Sequence, residues 1–154
     1  MRRTDREITD KSEMQDVLER AMIVRLALVD SGEPYVVPMH FGYRDGCLFL
    51  HSAGDGRKIK ALAKSPRVCF EATTDYEILP GKTTACQWAA RFKSVIGYGR
   101  VVFITDAAER RRALDVIMDH YAGKVAHQYE DKYMDRIAVL EVRIESMTGK
   151  KSGF

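Results

Sequence analysis

The chain has 154 residues, 45% hydrophobic and 31% charged, and 25 Lys and Arg against 22 Asp and Glu leave a formal charge of +3. That length predicts one domain spanning residues 1–154, and the apolar share is too high for a disordered chain. The two signs of charge interleave, so no basic block points to nucleic acid, and no apolar run approaches the roughly 20 residues that cross a bilayer. The start, Met1-Arg2-Arg3-Thr4-Asp5-Arg6-Glu7, is charged and leads into no apolar segment, so it does not read as a secretory signal and the cytoplasm is expected. Cys47, Cys69 and Cys86 are odd in number and widely spaced, as free thiols are.

A first helix is predicted from Lys11 to about Ala21, because Asp10 and Glu13 have capping-box spacing and Met14, Val17, Leu18 and Ala21 share a face. Ile23 to Val29, Tyr35 to Tyr43 and Cys47 to His51 read as three strands of an antiparallel meander, separated by turns at Asp30–Glu33 and Arg44–Gly46. A short helix, Arg57 to Lys64, should end before Pro66, and Arg67 to Thr73 returns as a strand. Thr74 to Thr84, with Pro80-Gly81, reads as a surface excursion. The β-branched and aromatic run from Ala85 to Ile104 should form one or two long strands bent near Gly97 and Gly99. A second capped helix runs from Asp106 to about His120, residues 122–136 are ambiguous, and Ile137 to Ile144 alternates as a final strand. The predicted class is mainly β (α+β): a six-stranded antiparallel barrel-like sheet with covering helices.

Several chemistries are excluded by spacing. Gly97-Tyr98-Gly99-Arg100-Val101-Val102 lacks the third glycine of a dinucleotide fingerprint and lies in a strand, and Thr148-Gly149-Lys150-Lys151-Ser152 has Ile144 where a phosphate-binding loop needs glycine. None of His40, His51, His120 and His127 stands at short spacing from another ligand, so no metal site is expected. The informative block is Leu48-Phe49-Leu50-His51-Ser52-Ala53-Gly54-Asp55-Gly56-Arg57-Lys58. A strand enters a glycine-containing loop and two cations open the next helix, so backbone N–H groups, the Ser52 hydroxyl, Arg57 and Lys58 could converge on one small anion such as a phosphate. The competing account is that Arg57 and Lys58 are solvated charges on an exposed helix.

That block, with Pro34-Tyr35-Val36-Val37-Pro38-Met39-His40-Phe41-Gly42-Tyr43 before it, resembles the FMN-binding split-barrel flavoproteins related to pyridoxamine 5′-phosphate oxidase. Within them it is most similar to the branch of the nitroimidazole-resistance (Nim) proteins. The resemblance continues through Arg2-Arg3-x-x-Arg6-Glu7-Ile8, Cys86-Gln87-Trp88, Phe92-Lys93-Ser94-Val95-Ile96-Gly97-Tyr98-Gly99-Arg100 and Thr148-Gly149-Lys150. It implies a homodimer of split barrels with FMN in clefts between the subunits. Arg57 and Lys58 match the family's phosphate-binding pair, and Ser52 a hydroxyl beside it. Pro38, Met39, His40 and Phe41 would follow the flavin edge, and Trp88 and Ser94 would reach the cofactor from the second subunit. His51 corresponds to a histidine of the Nim branch close to flavin and ligand, and is the one catalytic candidate; its alternative is a histidine that only caps the third strand. Nothing after Ile144 looks like the Arg-containing substrate motif of true pyridoxamine phosphate oxidases, so that oxidation is not expected.

The implied activity is transfer of electrons from reduced nicotinamide, or a similar donor, to a small electron-poor acceptor of the nitroaromatic class. Two alternatives stay open. One is a flavin-sequestering module with little turnover; the other keeps the barrel but places haem or a deazaflavin in the cleft.

Overall fold

The computed structural model describes residues 3–154, so Arg2 of the N-terminal motif lies outside the described residues. Strand β1 (Glu7–Ile8) precedes helix α1 (Lys11–Arg20). Then come β2 (Val24–Asp30), β3 (Glu33–Met39), β4 (Phe41–Arg44), β5 (Cys47–Ala53), α2 (Arg57–Lys64) and β6 (Arg67–Leu79). β7 (Ala89–Ile104), α3 (Ala107–Ala122), the single-turn α4 (Asp131–Met134) and β8 (Ile137–Ser152) complete the chain. All pairings are antiparallel, in the order β3-β2-β6-β7-β8-β5-β4 with β1 added on β8, which makes a split barrel with covering helices.

Among the described residues the sheet has eight strands where six were expected. One addition is β1, too short to carry a periodic signal. The other arises because Tyr35 to Tyr43 is two strands, not one. At His40 the chain leaves β2, the Phe41 N–H donates to the Tyr121 hydroxyl at 3.0 Å, and β4 then pairs with β5. The expected excursion at Thr74–Thr84 is also largely strand. After an irregularity between Thr74 and Glu77, residues Glu77 to Leu79 pair with Arg91 to Ala89, and only Pro80–Thr84 lies outside regular structure. The last strand runs past Ile144 to Ser152 and pairs along almost the whole of β7, which its polar outer face conceals in the sequence.

Local signals account for the helices. Asp10 accepts the Ser12 N–H at 2.8 Å and Asp106 accepts the Glu109 N–H at 2.9 Å, so α1 and α3 both start on a side-chain cap. The barrel interior holds Leu18, Leu26, Phe41, Leu48, Leu50, Leu62, Phe70, Val95, Leu140 and Val142, all fully buried. Each large side chain removed from water in this way contributes about 1.5–3 kcal/mol. A second cluster lies on the opposite face of the sheet, where Ala113, Leu114 and Ile117 of α3 pack with Met134 and Val139 and with the flank of Phe49 and Ile137. α3 crosses β4 so closely that a Cβ on Gly42 would lie 2.4 Å from the Val116 carbonyl oxygen. Among the described residues, no helix is long and apolar enough to cross a membrane.

Candidate functional site

The site is built where β5 runs out into α2. Gly56 holds φ +116°, in the left-handed region that a side chain disfavours, and turns the chain into the helix. Unlike α1 and α3, α2 has no side-chain cap on its first-turn N–H groups and no acidic residue in its first turn. Arg57 and Lys58 stand there instead, against the positive end of the helix dipole, where a cation costs about 0.3–1 kcal/mol unless an anion joins it. The nearby Asp55 carboxylate turns back onto its own loop, accepting the Gly56 N–H at 2.5 Å, with Lys60 3.4 Å away.

The two cations are held differently. Arg57 donates from Nε to Asp30 at 2.6 Å and lies over the Tyr35 ring, its carbon 4.3 Å from the centroid. Its two terminal nitrogens have no hydrogen-bond partner among the described residues. Lys58 is half-buried with Nζ 3.5 Å from the Met39 sulfur, and among the described residues no carboxylate lies within ion-pair distance. Burial pushes its pKa below the ordinary lysine value. A half-buried ammonium, free guanidinium edges and uncapped helix N–H groups are donors without acceptors, and this set fits a phosphate monoester dianion. The Ser52 hydroxyl, on β5, donates to the Ala53 carbonyl at 3.1 Å and would have to rotate to serve an anion.

Alongside runs the β3–β4 corner, with Pro38 and His40 exposed and Met39 and Phe41 buried. His40 meets the Tyr121 ring edge-on, 5.1 Å between centroids, while the Tyr121 hydroxyl donates to the Met22 carbonyl at 2.9 Å. His51 is exposed and lines the mouth of an apolar cavity. Desolvation first, then the fields of His40 and Lys58, hold its pKa below the usual histidine value and favour the neutral ring. That cavity, of about 330 Å³, is lined further by Leu114, Ile117, Met118, Tyr129, Tyr133 and Met134. The segment over this cavity is tied to α3: the Tyr129 hydroxyl donates to Asp115 at 2.8 Å, and Arg110 donates to the carbonyls of Met134 and Ile137.

Sequence-predicted residues therefore divide into two groups. Met39, His40, His51, Arg57 and Lys58 lie around the α2 N-terminus and the β3–β4 corner, with Pro38 and Phe41 next to them in the chain, whereas Ser52 follows His51 on β5 with its side chain on the other face of the strand. Ser94 instead lines a groove with Arg25, Glu71, Thr73 and Phe92, and Trp88 stands 57% exposed where the loop after β6 enters β7. Within one chain these two do not join the cluster. Asp30, Tyr35, Tyr121 and the residues over the cavity were not legible as site residues; Asp30 and Tyr35 read locally as turn and strand.

The fold is a split barrel, and at the mouth of one helix it sets two cationic side chains beside uncapped backbone N–H groups. The pyridoxamine 5′-phosphate oxidase family model matches residues 10–151, and the chain belongs to that family. A candidate 5-nitroimidazole antibiotic resistance protein from Bacteroides thetaiotaomicron is 35% identical over 94% of this chain and 86% of its own length, with a TM-score of 0.84. The flavocytochrome Anf3 of Azotobacter vinelandii superposes with a TM-score of 0.85 at 20% identity, over 100% of this chain and 72% of its own. An FAD- and haem-binding protein of Mycobacterium smegmatis gives 0.85 at 21% identity, over 97% and 74%. These last two share the fold. No curated protein matches the sequence significantly.

Proposed function

We propose that the chain is an FMN-dependent oxidoreductase, working as a homodimer with FMN at the subunit interface, that passes electrons from reduced nicotinamide or a similar donor to a small nitroaromatic-type acceptor. The observation that carries this reading is the pair Arg57 and Lys58 at an uncapped helix N-terminus, one with free guanidinium edges and the other half-buried without a carboxylate. Similarity to the Bacteroides protein at 35% identity supports the acceptor class.

FMN, when bound, supplies the redox chemistry. The chain's own residues bind and orient. Arg57 and Lys58 neutralise the phosphate, and Pro38 to Phe41 offer backbone groups along the edge of a flat ring. His51, favoured as the neutral ring, would offer its one ring N–H as a hydrogen bond to an acceptor oxygen at the cavity mouth, which Leu114, Ile117 and Met118 line. Trp88 and Ser94 reach the cofactor from the partner subunit. The exposed side chains of Trp88, Ile96 and Tyr98, 57%, 47% and 48% open in one chain, support burial of this face against a second copy.

The test begins with the absorbance spectrum of protein as purified and a flavin-fluorescence titration with FMN. Anaerobic reduction by NADH or NADPH should bleach the bound flavin, and a nitroaromatic should restore its colour. A Soret band in place of a flavin spectrum, or failure to bind FMN at micromolar concentration, overturns the cofactor reading; a monomer by sedimentation overturns the shared site.

A further inference from the structure

We infer that Asp30 and Tyr35 are positioning residues that aim the Arg57 guanidinium at the phosphate of the cofactor, an inference that rests on the proposed phosphate site. Both come from the β2–β3 hairpin. Leu28 pairs with Tyr35 and Asp30 with Glu33, so by strand alternation Asp30 and Tyr35 share the hairpin face on which Leu28 is buried. Arg57 lies against that face. The Asp30 carboxylate takes Nε at 2.6 Å, and its other oxygen accepts from the Ser31 hydroxyl at 3.3 Å, which orients the acid. Tyr35 covers one flat side of the guanidinium at 4.3 Å.

An arginine clamped at Nε and on one face keeps its terminal nitrogens for a bidentate contact and has lost its rotamer freedom before the ligand arrives. Had Asp30 evolved only to neutralise Arg57, pairing through the two terminal nitrogens would be the stronger geometry; the observed pairing leaves them open. The sign of the effect is therefore diagnostic. Coulomb's law alone says that deleting a negative charge beside a phosphate site should tighten phosphate binding. Positioning says the reverse.

The experiment measures FMN and riboflavin dissociation constants by flavin fluorescence for the full chain and for Asp30→Asn, Asp30→Glu, Tyr35→Leu, Arg57→Ala and the double variant Asp30→Asn/Arg57→Ala. Asp30→Asn should weaken FMN about three- to tenfold, the scale of re-ordering one long side chain, and leave riboflavin unchanged. Tyr35→Leu should act in the same direction, and Asp30→Glu should recover part of the loss. In the Arg57→Ala background, Asp30→Asn should weaken FMN no further. Unchanged or tighter FMN binding by Asp30→Asn, with Arg57→Ala still selective for FMN, overturns the positioning role alone. Equal losses of FMN and riboflavin in Arg57→Ala overturn the phosphate site and the positioning role with it. Loss of both ligands in Asp30→Asn, with a lowered melting temperature, assigns Asp30 to the fold and also overturns the proposal.

Discussion

Replacing Lys58 by Met should make the cofactor-free protein more stable and the cofactor complex weaker. The methionine keeps an apolar stem against Met39 and removes an ammonium that is half-buried, 3.5 Å from sulfur and at the positive end of α2. Burial lowers the lysine's folded-state pKa, so the folded chain holds this proton less tightly than the unfolded chain. The resulting penalty is present at neutral pH and is relieved as pH rises through the folded value toward about 10.4. Relief of the dipole conflict alone is about 0.3–1 kcal/mol, which for a chain of this size is about 1–4 °C in melting temperature. In the proposed FMN site the same ammonium would make one charge-assisted contact to phosphate of about 1.5–3 kcal/mol, so FMN affinity should fall about ten- to a hundredfold while riboflavin affinity holds. Thermal melts of the apo chain at pH 7 and pH 10, with paired FMN and riboflavin titrations, provide the test. A lower apo melting temperature at pH 7, or equal loss of both ligands, would refute the reasoning.

Other substitutions probe the scaffold and His51. Gly42→Ala puts a methyl 2.4 Å from the Val116 carbonyl oxygen, so α3 must move off β4 at a cost of about 1–3 kcal/mol, read by urea denaturation. Tyr121→Phe strips the partner from the Phe41 N–H and should cost about 1–3 kcal/mol, with faster amide exchange at Phe41 as its local signature. His51 has a folded pKa below its unfolded value of about 6.5, so the unfolded chain takes up the proton first as pH falls. Its contribution is complete above that value and is lost as pH drops toward the folded pKa. His51→Gln should flatten this part of the stability profile between pH 7 and pH 5, and an NMR titration of His51 with a midpoint at or above 6.5 would contradict the assignment.

What the sequence determined by itself was whatever neighbouring residues decide. Asp10 and Asp106 announce two helix starts, and α2 spans Arg57–Lys64 as expected because a glycine-rich loop and Pro66 bracket it. The split-barrel class was legible for the same reason: alternation and turns are local, and the family resemblance rests on short ordered motifs; of Arg57 and Lys58, what was legible is that two adjacent cations open α2. Tertiary structure alone decided the rest. The break between β3 and β4 depends on a hydroxyl 80 residues away, and the clamp on Arg57 on a carboxylate 27 residues away. Polar Glu145 to Ser152 becomes strand only because β7 offers a ladder of unpaired backbone groups to satisfy. His51 acquires its desolvated ring from α3 and the segment over the cavity, which sequence spacing does not bring near it. Burial and pairing energies depend on which surfaces meet, and that is set by the packing of the whole sheet.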